Sequence, residues 1–325
     1  MNTKSCIGAI GAVLFSMLLI GVLGEAAHAQ TAVSSCGTLS SSGNYFLTAN
    51  LTASGTCLII GADNIAIDLK GHTITGNGTL FGVTDGGIDR DDVIITNGKI
   101  TNFNNGINLS NSGDAVVTNV TASSNNNDGI FINGCCNTVS SVTANSNGGN
   151  GVEVGEDTNF TNVQANGNTG SGIDATQCCN TVIGSTASNN HQRGINSPSD
   201  DSFVIASKVQ NNSSDGIELS RCCNGVVTTT VTGNGGAGIA FPSEGDDMVT
   251  ESTVSGNTAD GIDFGARWGI ISGVTVQSNG ADGVNMLCRG STASLGSIFN
   301  ASANLVQVGP PTGDGPCANV DLFAP

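Results

Sequence analysis

The chain has few charged and few aromatic side chains. Asp, Glu, Lys and Arg together make up 11% of its 325 residues, aromatic residues make up 4%, and one Trp and one Tyr are present. Lys and Arg number 9 against 26 Asp and Glu, which gives a formal net charge of −17 at pH 7. Such a surface repels nucleic acids, anionic membranes and acidic polymers. We therefore expect no nucleic-acid partner, whereas the charge favours cations such as Ca²⁺.

Long apolar runs are also missing, with one exception at the N-terminus. Residues 7–23 are almost wholly apolar, Lys4 precedes them, and Ala27-His28-Ala29 has the small-x-small form of a cleavage site. We predict that residues 1–29 are a removed signal peptide, that the protein is secreted to the periplasm or the medium, and that it has no membrane segment afterwards. An uncleaved anchor is the alternative, but about 17 apolar residues are at the lower limit for a span.

Residues that favour helices are scarce, and Gly, Asn, Ser, Thr and Val dominate instead. Such a composition is also typical of a disordered tract. A regular internal repeat would distinguish a folded repeat protein from disorder. A Gly followed by Ile or Val recurs at steps of 21 to 23 residues, at Gly106, Gly129, Gly151, Gly172, Gly194, Gly216, Gly238, Gly261 and Gly283. The residue two positions after the Ile or Val is mostly apolar too, with Ser197 as the exception. This alternation predicts a strand with one buried face.

Asn stands four residues before every one of these glycines. The column consists of Asn102, Asn125, Asn147, Asn168, Asn190, Asn212, Asn234, Asn257 and Asn279. Asn tolerates the left-handed backbone of a tight turn, and stacked Asn side chains can hydrogen-bond from one turn to the next. We predict an internal Asn ladder with a structural role.

Each repeat is therefore one coil of short strands and turns, stacked on its neighbour at about 4.8 Å. A coil cannot bury its core without neighbours, so the repeats form one continuous domain. The predicted fold is all-β, a single-domain right-handed parallel β-helix of about eleven coils. We place an N-terminal cap at residues 30–57, the β-helix at 58–304 and a C-terminal tail at 305–325.

The Asn-x-x-x-Gly-Ile repeats, together with the opening stretch from Ala66 to Gly76, resemble the right-handed β-helix, pectin-lyase-like families, including their bacterial carbohydrate-binding and sugar-hydrolase group. The resemblance covers about residues 36–304. It implies the fold, but these families include lyases, hydrolases, epimerases, binding proteins and phage tailspikes. Their catalytic signatures, such as the Asp-Pro-His of alginate epimerases and the Asn-x-Asp, Asp-Asp and Gly-His-Gly set of polygalacturonases, are absent. No catalytic role is therefore carried over to any residue of this chain.

The turn after the Gly-Ile strand alternates between two compositions. Three coils carry a double cysteine there, at Cys135-Cys136, Cys178-Cys179 and Cys222-Cys223, and the intervening coils carry Glu156-Asp157, Asp200-Asp201 and Asp246-Asp247. Consecutive double cysteines are two coils, or about 9.6 Å, apart. That exceeds the roughly 7 Å over which a disulfide can join two Cα atoms. In an oxidising compartment we therefore predict a vicinal disulfide within each pair, which stiffens the turn.

Two functional readings of the double cysteines compete with this structural one. The paired sulfurs offer an apolar plate for a sugar ring in a protein with few aromatic residues, so the six cysteines form a candidate binding surface. A thiolate metal site is a further alternative, although no His is nearby. Of the other cysteines, we predict that Cys36 pairs with Cys57 in the cap and Cys288 with Cys317 in the tail.

An outward-facing column runs along the same strands. Its members, one per coil, are Asn108, Phe131, Glu153, Asp174, Asn196, Glu218, Ala240, Asp263 and Asn285. Glu153 and Asp174 lie on adjacent coils, about 5 Å apart, which suits a retaining glycosidase pair, and the wider gap from Asp174 to Glu218 approaches an inverting pair. His191 and Arg193, in the neighbouring loop, are candidates for a base or a charge clamp. A solvated acidic face is the structural alternative.

The acidic column, together with Asp157, Asp200 and Asp201, is also a candidate Ca²⁺ site, because carboxylate oxygens are preferred calcium ligands. No other cofactor is indicated. Two hypotheses of different class follow. The first is a secreted β-helix protein that interacts with extracellular carbohydrate, with a polysaccharide lyase or glycoside hydrolase as the reaction class if it is an enzyme at all. The second is a non-catalytic extracellular structural rod or adhesin, which serves attachment or cell-surface structure.

Overall fold

The computed structural model describes residues 30–243, 245–265, 269–286, 292–299, 306–308 and 320–322, without side-chain detail in the last three ranges. All regular elements in these ranges are β-strands, numbered here β1 to β34 in chain order. No helix within them is long and apolar enough to cross a membrane. The predicted signal peptide, Cys288 and Cys317 lie outside the described residues.

The strands stack into three parallel faces of a prism. The first face consists of β2 (Gly37–Leu39), β5 (Leu58–Ile60), β8 (Phe81–Thr84), β10 (Asn105–Leu109), β12 (Ile130–Ile132), β14 (Val152–Val154), β17 (Ile173–Ala175), β20 (Ile195–Ser197), β23 (Ile217–Leu219), β26 (Ile239–Phe241), β29 (Ile262–Phe264), β31 (Val284–Met286) and β33 (Val306–Val308). Each strand pairs in parallel with the corresponding strand of the next coil, as Ile107 does with Ile130 and Ile130 with Val152. This face carries the Gly-Ile repeat.

The other two faces are joined by long strands that bend across both of them. The second face contains β1 (Thr31–Val33), β3 (Gly43–Leu47), β6 (Ile65–Asp68), β13 (Thr138–Ser140), β15 (Asn159–Thr161), β18 (Thr181–Ile183), β21 (Phe203–Ile205), β24 (Gly225–Val227), β27 (Met248–Thr250) and β34 (Val320–Leu322). The third contains β4 (Leu51–Thr52), β7 (Thr73–Thr75), β16 (Gln164–Asn166), β19 (Thr186–Ser188), β22 (Lys208–Gln210), β25 (Thr230–Thr232) and β28 (Thr253–Ser255). The long strands are β9 (Val93–Thr101), β11 (Val116–Ala122), β30 (Ile270–Gln277) and β32 (Thr292–Phe299).

The result is a parallel β-solenoid of about eleven turns, which confirms the predicted fold class. Strands of the segment assigned to the cap already pair in this arrangement, β1 with β3, β2 with β5 and β4 with β7. Two strands of the segment assigned to the tail do the same, β33 with β31 and β34 with β32. The disulfide predicted between Cys36 and Cys57 is present and links the first coil to the second.

The lumen is filled by the apolar columns that the period predicts. Both inward residues of β12, Ile130 and Ile132, are fully buried, and so is Ala122 from the preceding strand. Ser197, the polar exception, is also buried, and its hydroxyl lies 2.9 Å from that of Ser202. The one polar side chain in this column therefore has a hydrogen-bond partner, as burial requires.

The predicted Asn ladder is continuous from Asn125 to Asn279. Each side-chain amide donates to the Oδ1 of the Asn in the next coil, at 3.1 Å from Asn125 to Asn147 and 2.9 Å from Asn257 to Asn279. The same Oδ1 atoms also accept the backbone N–H of the preceding Asn, as in Asn190 to Asn212 at 3.0 Å. The ladder thus pairs buried backbone donors that the turn would otherwise leave unsatisfied.

Two details of the ladder prediction are wrong. Asn102 is not a member, because the turn before Gly106 is one residue shorter and Phe103 takes the ladder position, donating its N–H to Asn125 Oδ1 at 3.1 Å. The ladder Asn is also not the left-handed residue of the turn. The residue before it has the positive φ, 58° at Ser146 and 57° at Asn189.

The repeat glycine is required by the ladder rather than by an unusual φ. A Cβ on Gly129 would lie 2.6 Å from the carbonyl oxygen of Gly151 and 2.7 Å from the Nδ2 of Asn147. Any side chain at this position would therefore push the ladder amide out of line. The Asn and Gly columns of the sequence are two parts of one packing arrangement.

The other two turns of the coil have ladders of their own. After the first face, the buried residues Asn137, Thr158, Asn180, Ser202, Asn224 and Asp247 stack in line, and Asn180 Oδ1 accepts the N–H of Thr158 at 2.9 Å. At the third turn a hydroxyl takes the same part, since Ser207 Oγ accepts the N–H of Ser185 at 3.1 Å. Several turns at each corner thus combine a left-handed residue with a buried polar residue after it, as in Asp157 before Thr158 and Ala206 before Ser207.

Candidate functional site

The outward column of the first face is assembled as the sequence predicts. Strand pairing places Phe131 beside Glu153, Glu153 beside Asp174, and Asp174 beside Asn196. These side chains are half-buried rather than fully solvated. The predicted neighbours Glu153 and Asp174 are therefore brought together in a partly enclosed setting.

The enclosure is a groove of about 560 Å³ over the first face. It is lined by Phe81, Asn104, Asn105, Asn108, Asn127, Asp128, Phe131, Gly148, Gly149, Asn150, Glu153, Thr169, Gly170, Asp174 and Gln192. The strands that line the groove are β8, β10, β12, β14 and β17, which span about 19 Å along the axis of the solenoid, and Gln192 adds the turn before β20. Three carboxyl groups line it, and no Lys, Arg or His does.

One amide, that of Asn150, organises the carboxyl groups. Its Nδ2 donates to Glu153 Oε2 at 2.8 Å and to Asp174 Oδ2 at 3.4 Å. The backbone N–H of Asn150 donates to Asp128 Oδ1 at 2.7 Å. On the far side, Asn196 Nδ2 donates to Asp174 Oδ1 at 2.8 Å. Asp128, Glu153 and Asp174 are thus tied to one residue, and Glu153 and Asp174 stay partly exposed in the groove whereas Asp128 is buried.

Burial makes these carboxyl groups weaker acids than usual. It raises the pKa of Asp128 to about 6, with the charges of Glu153 and Asp174 acting in the same direction and the N–H of Asn150 opposing. Burial also raises the pKa values of Glu153 and Asp174, against the hydrogen bonds from Asn150 and Asn196. A desolvated carboxylate without a cationic partner favours protonation or a compensating donor. The groove therefore favours ligands that donate hydrogen bonds or carry positive charge.

The remaining walls are amides and aromatic rings. Asn127 Nδ2 donates to Asp128 Oδ2 and to Asn105 Oδ1, both at 3.0 Å, which fixes the orientation of these side chains. Phe81 and Phe131 are half-buried and line the same groove. In a chain with 4% aromatic residues, two phenyl rings beside a row of amide and carboxyl groups form a distinctive surface.

The other catalytic candidates lie apart from this cluster. Arg193 Nε donates to Glu218 Oε2 at 2.6 Å, so these two residues form an ion pair beyond the groove. Nδ1 of His191 lies 3.2 Å from the backbone oxygen of Asn168, and the ring is exposed without lining the groove. The structure thus brings Glu153 and Asp174 together, without Glu218 or His191. Arg193 pairs with Glu218 but lies near enough for its charge to lower the pKa of Asp174 against the effect of burial.

The cysteines and the predicted calcium ligands do not join the groove either. All six turn cysteines are thiols in the structure, so the vicinal disulfides predicted from the sequence are not present in it. Within the described ranges, no three His, Cys, Asp or Glu side chains are placed to hold a metal ion. Asp157, Asp200 and Asp201 are accordingly not gathered around one point, and Asp200 Oδ1 instead accepts the N–H of Cys222 at 3.0 Å.

Several lining residues were missed from the sequence, above all Asp128, Asn150 and Phe81. A signal for two of them exists, because Asp128 and Asn150 each stand directly before a repeat glycine. The residue before the glycine reaches the same surface as the outward column. Phe81 precedes the regular repeats, so no column of the sequence points to it.

The chain matches the family described as the right handed beta helix region over residues 128–266 and 171–309. These matches together span more than half of the 325 residues, and the protein belongs to this family. No curated protein sequence matches the chain significantly.

Solved structures agree with this assignment. The A-module of the mannuronan C-5 epimerase AlgE6 of Azotobacter vinelandii is 16% identical, with a TM-score of 0.63, over 85% of this chain and 90% of that one. The catalytic domain of a GH87 α-1,3-glucanase in complex with nigerose is 11% identical, with a TM-score of 0.53, over 85% of this chain and 63% of that one. The Dettilon tailspike protein is 15% identical, with a TM-score of 0.53, over 79% of this chain and 62% of that one. At these identities the similarity establishes the shared pectin-lyase-like β-helix and no more.

Proposed function

We propose that this protein is a secreted glycan-binding β-helix, and that a non-acidic glycan chain, neutral or amine-bearing, lies along the groove of the first face. The observation that carries the proposal is the combination of Phe81 and Phe131 with Asp128, Glu153 and Asp174 in one groove. A sugar ring has an apolar C–H face that packs on a phenyl ring and hydroxyl groups that donate to carboxylates. Both kinds of partner are present side by side.

The shape of the groove supports a chain-like ligand. It crosses five coils along the solenoid axis and is open along its length, which suits a polymer better than a small enclosed molecule. The mannuronan epimerase and the α-1,3-glucanase, which share the fold, are named for polysaccharides or their fragments. These names are compatible with a polysaccharide partner, but the proposal rests on the groove of this chain.

Charge narrows the glycan class. The three carboxyl groups of the groove have no Lys, Arg or His among the lining residues, and the whole chain has a net charge of −17. A uronate chain would bring like charges into a partly desolvated groove, which is unfavourable. Amine groups or neutral hydroxyl groups instead supply further donors to carboxylates that have no Lys, Arg or His beside them in the lining of the groove.

Binding without a chemical step fits the geometry better than catalysis. Of the groups predicted as base or clamp, Arg193 is held by Glu218 and His191 does not line the groove. We expect no release of reducing ends from a panel of polysaccharides. Release that is abolished by Asp174→Asn would overturn this part of the proposal.

Location outside the cytoplasm is the remaining part of the proposal. The predicted signal peptide supports it, and so does the disulfide between Cys36 and Cys57, because such bonds persist in oxidising compartments. The exported protein should begin at Gln30, which N-terminal sequencing would establish. An intact N-terminus on the exported protein would contradict cleavage.

A glycan array of neutral, amine-bearing and uronate chains, with and without Ca²⁺, is the first test. Calorimetry with the best ligand would then compare Phe131→Ala and Asp174→Asn with a matched control, Asp263→Asn. Asp263 lies in the same column and accepts the same type of hydrogen bond, from Asn285 at 3.0 Å, but lies outside the groove.

We expect affinity losses of about tenfold or more for the two groove variants, because each removes a contact worth about 1.4 kcal/mol. The Asp263→Asn control should stay within about twofold of the wild type. The absence of binding to any glycan, a preference for uronates, or equal losses in all three variants would each contradict the proposal.

A further inference from the structure

The three double-cysteine turns, Cys135–Cys136, Cys178–Cys179 and Cys222–Cys223, are not explained by the groove. Their second cysteines have left-handed backbones, with φ of 67°, 69° and 68°. In the intervening coils the same turn position has φ of 50° at Asp157 and 54° at Asp201. Asp tolerates this conformation through local hydrogen bonds, whereas Cys has no such compensation. An unfavoured residue that recurs at one strained position points to a chemical role.

In the third double-cysteine turn the two sulfurs are in contact. The Sγ atoms of Cys222 and Cys223 are 2.7 Å apart, well inside ordinary non-bonded contact although longer than a disulfide bond of about 2.05 Å. In the other two turns the first cysteine lies near enough to raise the pKa of the second, at Cys136 and at Cys179. The third turn therefore holds a dithiol that needs little movement to form an S–S bond, and the other two turns hold neighbouring thiols on the same left-handed backbone.

Between turns the thiols are kept apart. The cysteine turns alternate with acidic ones, as the N–H of Asp157 bonds to the carbonyl of Cys178 and the N–H of Asp201 to that of Cys222, both at 3.0 Å. Two coils separate the pairs by about 9.6 Å, against a limit of about 7 Å between the Cα atoms of a disulfide. A thiol of one turn can consequently bond within its own turn or with an external molecule.

We propose that each double-cysteine turn is a thiol-oxidation site that closes to a vicinal disulfide by exchange with an external disulfide, RS–SR. One protein thiolate attacks RS–SR, forms a mixed disulfide and releases RS⁻, which takes up a proton. The neighbouring thiol then loses its proton, attacks the protein sulfur of the mixed disulfide and releases the second RS⁻. The protein dithiol gives up two electrons and two protons, and RS–SR becomes two RSH.

The surroundings favour the closed form once it is made. The pKa of Cys136 is raised to about 11, chiefly by the interaction with the neighbouring Cys135. The charges of the Asp114 and Asp157 carboxylates raise this pKa further. The pKa of Cys179 is raised to about 12, mainly by burial and to a smaller extent by the interaction with the neighbouring Cys178. Reduction would have to expel such a thiolate, and a thiol of high pKa is a poor leaving group. The acidic turns thus act to retain the disulfide.

The test uses the whole secreted chain, first reduced and then incubated with glutathione disulfide. Thiols are labelled with an alkylating reagent under denaturing conditions, and peptide mass mapping assigns each turn. We expect each of the three turns to lose two hydrogens, to resist alkylation and to carry no glutathione. Six alkylated turn cysteines, stable glutathione adducts, or disulfides between chains would overturn the proposal.

The variant Cys179→Asp is the matched control, because Asp occupies this turn position in the neighbouring coils and folding should be preserved. With its partner removed, Cys178 should stop at the mixed disulfide and retain one glutathione. The other two turns should close as in the wild type. Retention of no glutathione by Cys178 would show that the turn does not react with the external disulfide and would refute the mechanism.

Discussion

The groove stretch, from β8 to β17, and the later stretch, from β23 to β31, are built on the same repeat but differ on their surfaces. Asp174 accepts from Asn196 in the first, and Asp263 accepts from Asn285 in the second, at 2.8 and 3.0 Å. One Asp–Asn pair of the outward column is therefore matched between the two stretches. The groove that contains carboxyl groups and phenyl rings together lies in the first stretch.

The residue before the repeat glycine gives a second matched pair. Asp128 Oδ1 accepts the N–H of Asn150, and Asp215 Oδ1 accepts the N–H of Ala237, both at 2.7 Å. In the groove stretch the residue that donates this N–H is Asn150, whose side-chain amide also donates to Glu153. In the later stretch this residue is Ala237, whose methyl group cannot donate a hydrogen bond to the outward column. The two stretches thus share the hydrogen bond from the backbone N–H to the Asp carboxylate. They differ in the side chain of the donating residue, on which the site depends.

The largest effect should come from a side chain added beneath the groove. A Cβ on Gly149 would overlap Asp128 Oδ1, and one on Gly236 would overlap Asp215 Oδ1 in the same way. Gly149→Ala and Gly236→Ala should each cost about 1 to 2 kcal/mol of stability through local overpacking. Because only Gly149→Ala displaces a groove carboxylate, it alone should lower glycan affinity, by about tenfold. Equal affinities of the two variants in calorimetry would remove the distinction between the stretches.

A second effect concerns stability and its pH dependence. Asp247 occupies a ladder position, and its Oδ1 accepts both the N–H and the Nδ2 of Asn224, at 3.0 and 3.2 Å. Burial raises its pKa from 3.8 to about 6, against those hydrogen bonds. Between these pH values the folded state binds more protons than the unfolded state, so this residue makes stability fall as the pH rises.

Asp247→Asn restores the residue that Asn137, Asn180 and Asn224 provide at the same turn. It should raise the free energy of unfolding by about 2 kcal/mol at pH 7.5 and by little at pH 4, since two pKa units correspond to roughly that energy after some screening. Urea unfolding at both pH values measures the difference. A gain of the same size at pH 4 would mean that packing, and not charge, is responsible.

Particular residues show which parts of the fold and of the site can be predicted from the sequence. The period and the alternation predict the strands, the inward Ile column and the ladder from Asn125 onward, because these depend on interactions that repeat in every coil. Asn102 fails because one shorter turn shifts the register, which a column of Asn residues does not reveal. Glu153 and Asp174 could be paired from spacing alone, whereas Asp128 and Phe81 depend on how a turn folds over its neighbour.

A third prediction concerns the pH dependence of binding. The pKa of Asp128 is about 6, so its carboxyl group is charged at pH 7.5 and largely protonated at pH 5. Binding of an amine-bearing oligosaccharide should weaken by about fivefold over this range, since one partly screened charge interaction is worth about 1 kcal/mol. Asp128→Asn should flatten the profile, and Asp215→Asn, its counterpart in the later stretch, should not. Profiles that the two variants alter equally would show that the groove is not the binding site.

The smallest effect is expected at the boundary between the stretches, where Arg193 and Glu218 form their ion pair. Their side chains are 33% and 17% exposed, so solvent screens the interaction. Arg193→Gln should cost less than about 1 kcal/mol in low salt and close to nothing in 1 M salt. Glycan affinity should change by less than about twofold, because Arg193 does not line the groove. A tenfold loss of affinity would instead extend the glycan path across the ion pair, and the two stretches would then form one continuous binding surface.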